Sequence, residues 1–81
     1  MITAYVLITT DNTNPVVVGQ VLTRFEEVEN VHQVIGPYHL IARVNAENVI
    51  ELREKTIKNI ERIRGVTKTT TLLTEPSLQQ Q

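Results

Sequence analysis

Ile2, Ala4, Val6 and Ile8 alternate with Thr3, Tyr5, Leu7 and Thr9, the period-two pattern of a strand half-buried in a sheet. The first set predicts the core face. Tyr5 and Leu7 make the second set too apolar to stay fully wet, so this face is expected to meet something. Asp11-Asn12-Thr13-Asn14 reads as a turn, with Asn14 as a helix N-cap and Pro15 at the first helical position. Val18, Val21, Leu22, Phe25 and Val28 then recur at helical spacing and predict a helix from Pro15 to Val28. Gly19 inside that helix costs about 1 kcal/mol relative to Ala. Close packing against the sheet is the expected reason for it.

Val31–Ile35 and Tyr38–Asn45 read as strands joined at a tight Gly36-Pro37 turn. Tyr38, Leu40, Ala42 and Val44 are expected on the core face, and His39, Ile41 and Arg43 on the mixed one. Asn45 is expected to cap a second helix over Ala46–Arg64, with Val49, Leu52, Thr56, Ile60 and Ile63 along its inner side. Glu51–Lys55 and Glu54–Lys58 are spaced as i,i+4 ion pairs. Gly65 is the stop signal, and Val66–Thr74 reads as a threonine-rich strand.

A half-repeat organises these elements. Phe25-Glu26-Glu27-Val28-Glu29-Asn30-Val31 aligns with Ile60-Glu61-Arg62-Ile63-Arg64-Gly65-Val66. The chain is therefore two βαβ halves joined at the Gly36-Pro37 hairpin. Such halves interlock as an α+β, ferredoxin-like βαββαβ sandwich. The crossover rule puts both helices on one face of a four-stranded antiparallel sheet, with strands one and three central. Tyr5, Leu7, Ile41 and Leu73 are expected on the helix-free face. Residues 1–75 form the single domain, and 76–81, which contain Pro76 and three terminal glutamines, a frayed tail.

Composition narrows the function. At 81 residues the core is small, and such domains often gain stability by association. A net charge of −1 leaves no basic surplus for phosphates, which argues against direct nucleic-acid binding. The absence of cysteine removes disulfides, thiolate metal sites and thiol nucleophiles. No apolar run approaches the roughly 18 residues of a membrane span, and no basic leader precedes the first strand. A cytoplasmic protein without membrane contact is expected.

Candidate chemistry is sparse. His32 and His39 flank the hairpin turn, where paired strands could bring them near each other, but a metal site needs a third ligand that no spacing supplies. Glu26, Glu27 and Glu29 read as a solvated face. No phosphate loop is present, and the only serine is Ser77 in the tail. No catalytic residues, metal or cofactor are therefore assigned. Threonines at 67, 69, 70 and 71 suit an edge strand on propensity alone. Alternatively, Thr69 and Thr71 face a polar pocket, while the Gly36–His39 turn offers backbone groups suited to a small zwitterion.

Ile35-Gly36-Pro37-Tyr38-His39-Leu40-Ile41-Ala42-Arg43-Val44 resembles the Gly-x-Tyr-Asp hairpin of the Lrp/AsnC effector domain, also called the RAM domain. Ala46-Glu47-Asn48-Val49-Ile50-Glu51-Leu52 and Gly65-Val66-x-x-Thr69-x-Thr71 resemble later segments of that family. The resemblance covers residues 1–75. It implies a non-enzymatic, amino-acid-sensing and oligomerisation module of transcription regulation. Because the first strand starts at residue 2, the expected form is a stand-alone effector domain without the family's helix-turn-helix. The family implies dimers formed through the sheets, rings of up to four dimers, and mixed oligomers with full-length regulators. Effector amino acids bind between dimers, near the hairpin and the threonine strand. Carried over, the candidate ligand-binding residues are Gly36, Tyr38, His39, Thr69 and Thr71. His39 stands where the family has aspartate. Its neutral imidazole can accept one hydrogen bond but lacks a carboxylate's attraction for an ammonium group. Two other readings share this architecture: small cofactor-free monooxygenases or isomerases, and ACT-type regulatory domains. The few aromatics, Tyr5, Phe25 and Tyr38, argue against the enzymes.

Overall fold

The structure, a computed structural model, describes residues 1–12 and 14–74. The expected tail, 76–81, lies outside the described residues. Strand β1 is Ile2–Thr10, helix α1 Pro15–Leu22, β2 Val28–Gln33, β3 Leu40–Ala46 and β4 Val66–Leu73. Helix α2 combines an α-helical turn Val49–Glu51, a π-helical stretch Leu52–Ile57 and a final α-turn Lys58–Glu61. The four strands form one antiparallel sheet in the order β2-β3-β1-β4. The ferredoxin-like topology is the expected one, with β1 and β3 central. No described helix is long and apolar enough to cross a membrane.

Alternation builds the core. Ala4, Val6 and Ile8 of β1 and Leu40, Ala42, Val44 and Ala46 of β3 are buried against Val18 and Leu22 of α1 and Leu52 and Ile60 of α2. Asn14 caps α1 by accepting a hydrogen bond from the Val16 N–H at 2.9 Å. Gly19 is buried beneath Leu40 and Val31, yet an added Cβ would lie 3.6 and 3.7 Å from their side chains. That is ordinary van der Waals contact, so packing does not require glycine there. Gly19→Ala is expected to raise stability by about 1 kcal/mol, read from urea unfolding.

Helix α1 ends at Leu22, earlier than its apolar stripe predicted. Phe25 N–H donates to the Leu22 carbonyl, and Val28 N–H to that of Phe25. These turns keep a three-residue spacing, so Phe25 and Val28 pack on the core without being helical. At the end of α2, Ile63 bonds Ile60 and Val66 bonds Ile63 in the same way. The half-repeat is therefore real, but it pairs Leu22 with Ile60, Phe25 with Ile63 and Val28 with Val66. The sequence alignment was displaced by three residues, a slip that an i,i+3 apolar pattern tolerates.

The equivalence extends into the strands. In β2 the register passes from Val28↔Val44 to Asn30↔Arg43, which leaves Glu29 as an extra residue. In β4 it passes from Val66↔Thr10 to Lys68↔Thr9, which leaves Thr67 extra. Thr67 Oγ1 bonds the Thr9 carbonyl at 3.1 Å. Each edge strand thus carries a β-bulge at the same place in its half. Gly65, at φ 104°, makes the turn into β4 in a backbone region that other residues avoid.

Helix α2 is capped by Asn48, whose Oδ1 accepts from the Glu51 N–H at 2.8 Å. Asn45, the expected cap, stays in β3 and takes a hydrogen bond from Thr3 Oγ1 at 2.9 Å. Glu54 pairs with Lys58 at 2.9 Å, as the spacing predicted. That hydrogen bond holds the Glu54 carboxyl below the usual carboxylate range. Lys55 instead reaches Glu27 at 3.5 Å, in the turn before β2. Within the π stretch, Thr56 is fully buried and its hydroxyl has no partner among the described residues. Thr56→Val removes that stranded hydroxyl at nearly constant shape. It is expected to stabilise the fold by about 1–2 kcal/mol, read as a raised urea midpoint.

Candidate functional site

The hairpin is wider than its Gly-Pro pair suggested. Its ladder ends at Gln33↔Leu40, and residues 34–39 form the connection, closed by a Val34 N–H bond to the His39 carbonyl at 3.0 Å. Gly36 sits at the tip with φ 150°, and nothing approaches within 4 Å of the place its Cβ would occupy.

This connection breaks the alternation of β3. Tyr38, expected in the core, swings over the helix-free face, where its hydroxyl lies 3.4 Å from Thr70 Oγ1. Thr70 stands opposite Leu7 on that face. His39, expected beside Ile41 and Arg43, turns to the end of β1. Its Nδ1 accepts the Thr10 N–H at 2.9 Å, and the Thr10 hydroxyl is equally close. The Thr10 bond requires Nδ1 to be unprotonated, which places the proton of the neutral ring on Nε2. His32 stands opposite Ile41 on the edge strand.

The Thr67 bulge inverts the rest of β4. Thr69, Thr71 and Leu73 pair with Ile8, Val6 and Ala4 and so share the helix-bearing face. Thr69 Oγ1 bonds Glu61 Oε2 of α2 at 3.2 Å. Thr71 opens into an apolar groove of about 300 Å³, lined also by Val49, Leu52, Arg53, Ile57 and Leu73. Leu72, not Leu73, lies on the helix-free face with Tyr5, Leu7 and Ile41. Within one chain the five candidate residues therefore occupy separate places. Gly36 and Tyr38 are at the hairpin, His39 is at the end of β1, and Thr69 and Thr71 are under α2. Thr70 and Thr10, the partners of Tyr38 and His39, are not among the candidate residues of the sequence. Only the bulge and the wide connection reveal them.

The helix-free face is not uniformly apolar. Arg43 Nε lies 2.9 Å from Glu29 Oε1, and Asn45 Nδ2 donates to the same oxygen at 3.3 Å. Both partners of the ion pair are partly exposed, so it contributes under about 1 kcal/mol. On the far side, an acidic recess is lined by Glu26, Glu27, Glu47, Glu51 and Lys55, among others. Among the described residues no cluster of His, Asp and Glu is arranged to hold a metal ion.

Fold and patterning together define a small α+β domain of the ferredoxin-like kind, with one sheet face left open. The chain belongs to the Lrp/AsnC ligand binding domain family, whose model matches residues 3–75. Its role is accordingly that of a regulatory, effector-binding domain. TTHA0845 from Thermus thermophilus is similar at 36% identity and a TM-score of 0.84, covering 93% of this chain and 94% of that one. FFRP-DM1 is similar at 25% identity and a TM-score of 0.85, covering 93% of this chain and 100% of that one. AsnC of E. coli, at 18% identity and a TM-score of 0.79, shares the fold; 93% of this chain matches 52% of that one. The comparison with curated proteins gives no match.

Proposed function

We propose that this domain senses a small zwitterion, an amino acid, and does so as part of an assembly of its own copies in transcription regulation. It acts by binding and not by catalysis. The observation that carries the reading is the separation of the candidate residues. The exposed backbone of the Gly36 turn and the Thr71 hydroxyl in its groove do not face each other within one chain. A pocket that uses both is completed by a second chain. The helix-free face, with Tyr5, Leu7, Ile41 and Leu72 incompletely covered, supplies the first contact between copies. Full-length regulators with the same domain are candidate partners for mixed assemblies.

His39 is already engaged by Thr10, so the turn's backbone carries more of the ligand's recognition in this reading than an acidic side chain would. The enzymatic alternative calls for a cavity between sheet and helices with a histidine opening into it. The groove at Thr71, and a second one lined by Val16, Gly19, Thr23, Val31, Gln33 and Leu40, have no histidine in their walls.

Light scattering with and without each of the twenty amino acids, paired with thermal unfolding, tests the proposal. A dimer or larger species is expected. An effector at one hundred times its Kd should stabilise the fold by about 2.7 kcal/mol, on the order of 10–20 °C in Tm for a domain of this size. A single-chain mass together with no shift from any amino acid overturns it.

A further inference from the structure

The ring of His39 is half-buried at the end of β1, where Nδ1 accepts from the backbone N–H of buried Thr10. The Thr10 hydroxyl lies at the same 2.9 Å. The connection 34–39 leans on this contact. Ile35, Gly36 and Pro37 are exposed, and a Cβ added at Gly36 would meet nothing within 4 Å. Val34 N–H bonds the His39 carbonyl, so the loop closes on His39. His39 in turn is tied to β1 by its own N–H, on the Ile8 carbonyl at 2.9 Å, and by the ring on Thr10. Tyr38 adds a 3.4 Å approach to Thr70, long for a bond between two hydroxyls.

Of these ties, the ring is the one that a proton can switch. The Thr10 N–H needs an acceptor, and a neutral imidazole has one. The imidazolium has none, because both ring nitrogens then carry hydrogen, and turning the ring over supplies nothing better. The Thr10 hydroxyl can accept the new Nδ1 proton, but the backbone N–H beside it still faces a donor. Thr10 is 5% exposed, so the ring has to move before water can take its place. Histidine is the side chain that ordinarily gains its charge between about pH 5 and 8.

Each neighbouring element brings its own charges to this end of the sheet. Asp11 continues β1, and its N–H bonds the Gly65 carbonyl at 2.8 Å, next to Arg64. Lys68 of β4 pairs with Thr9, and Glu61 of α2 bonds Thr69, which pairs with Ile8. On β2, His32 stands opposite Ile41, while helix α1 carries no charged residue. Asp11 and Glu61 favour a cation here, and Arg64 and Lys68 oppose one. Their balance sets where on the pH scale the ring charges, not what charging does to the Thr10 contact. We propose that His39 is a proton-operated latch: unprotonated, it holds the 34–39 connection on β1, and protonated, it lets go. The latch belongs to the fold, so it stands whether or not the turn binds an amino acid.

Amide and imidazole NMR of the whole chain, between about pH 8 and pH 5, tests the latch. At the upper end the His39 ring is expected to carry its proton on Nε2. As the ring titrates, the Thr10 amide should shift with the same midpoint, together with the amides of Val34, Ile35, Gly36 and Tyr38. Those of Val6 and Val44 in the core should hold still. Protection of the Thr10 N–H against exchange should fall by about tenfold, the loss of one buried hydrogen bond. His39→Asn separates the contact from the proton. Its Oδ1 stands where Nδ1 was and accepts from Thr10 without titrating, so the Thr10 amide and the connection should keep their high-pH state throughout. His39→Gln carries its acceptor at the place of Nε2 and should give the released connection at every pH. His32→Asn should leave the response intact. A Thr10 amide that ignores the titration of the His39 ring overturns the latch. So does a pH response that survives His39→Asn, or one that disappears in His32→Asn.

Discussion

Leu7→Asp is expected to turn the assembly proposed above into single folded chains. Leu7 lies at the middle of the helix-free face, between Ile41 of β3 and Thr70 of β4. Its side chain points away from the core formed by Val6 and Ile8. The fold of one chain therefore keeps its packing when the residue changes. A contact between two such faces would bury the new carboxylate without a partner, a penalty of several kcal/mol. Each 1.4 kcal/mol is tenfold in affinity, so the dimer Kd should rise by about a hundredfold or more. Light scattering over a dilution series gives the mass, and circular dichroism checks that the chain remains folded. A dimer that persists at the same concentrations would show that copies meet elsewhere.

Leu22→Ala and Ile60→Ala are expected to be strongly destabilising, and to cost similar amounts. Both side chains are fully buried, and the two positions are equivalent in the half-repeat. Each closes the last turn of its helix and fixes the entry into an edge strand. Truncation removes buried carbon and leaves a cavity, at about 2–5 kcal/mol. Against a total stability of about 5–15 kcal/mol, either variant is left marginal. Urea unfolding of the two variants should agree within about 1 kcal/mol, given the usual context dependence of cavity costs. A loss below that size at one position alone would break the equivalence drawn between the halves.

The same pair shows how much of the fold the residues announce. β1 and β3 follow strict alternation, and their burial runs the same way in the structure. The order of elements then leaves the crossover rule one arrangement, and the observed sheet order obeys it. What could not be read was phase. The extra residue at Thr67 turns the remainder of β4 over, which moves Thr69, Thr71 and Leu73 to the helix side and Leu72 to the other. Nothing in a run of threonines marks which one will be unpaired. Tyr38 escaped for a related reason, since it belongs to the connection and not to the ladder. Asn48 and Asn45 are equally good caps on composition, and only the length of β3 decides between them. The π stretch has no signature in the apolar spacing, because Leu52, Thr56 and Ile60 fit an ordinary helix equally well.

The matching bulges have one more consequence. Both lateral margins of this sheet are kinked by an unpaired residue, Glu29 on one side and Thr67 on the other. Glu29 is itself charged, and Lys68 adjoins Thr67. A bent, charged margin is a poor template for another strand, and sideways growth is the usual route to fibres. At the bulged end of each edge strand, the open hydrogen-bonding groups are thus turned away from pairing with a further strand.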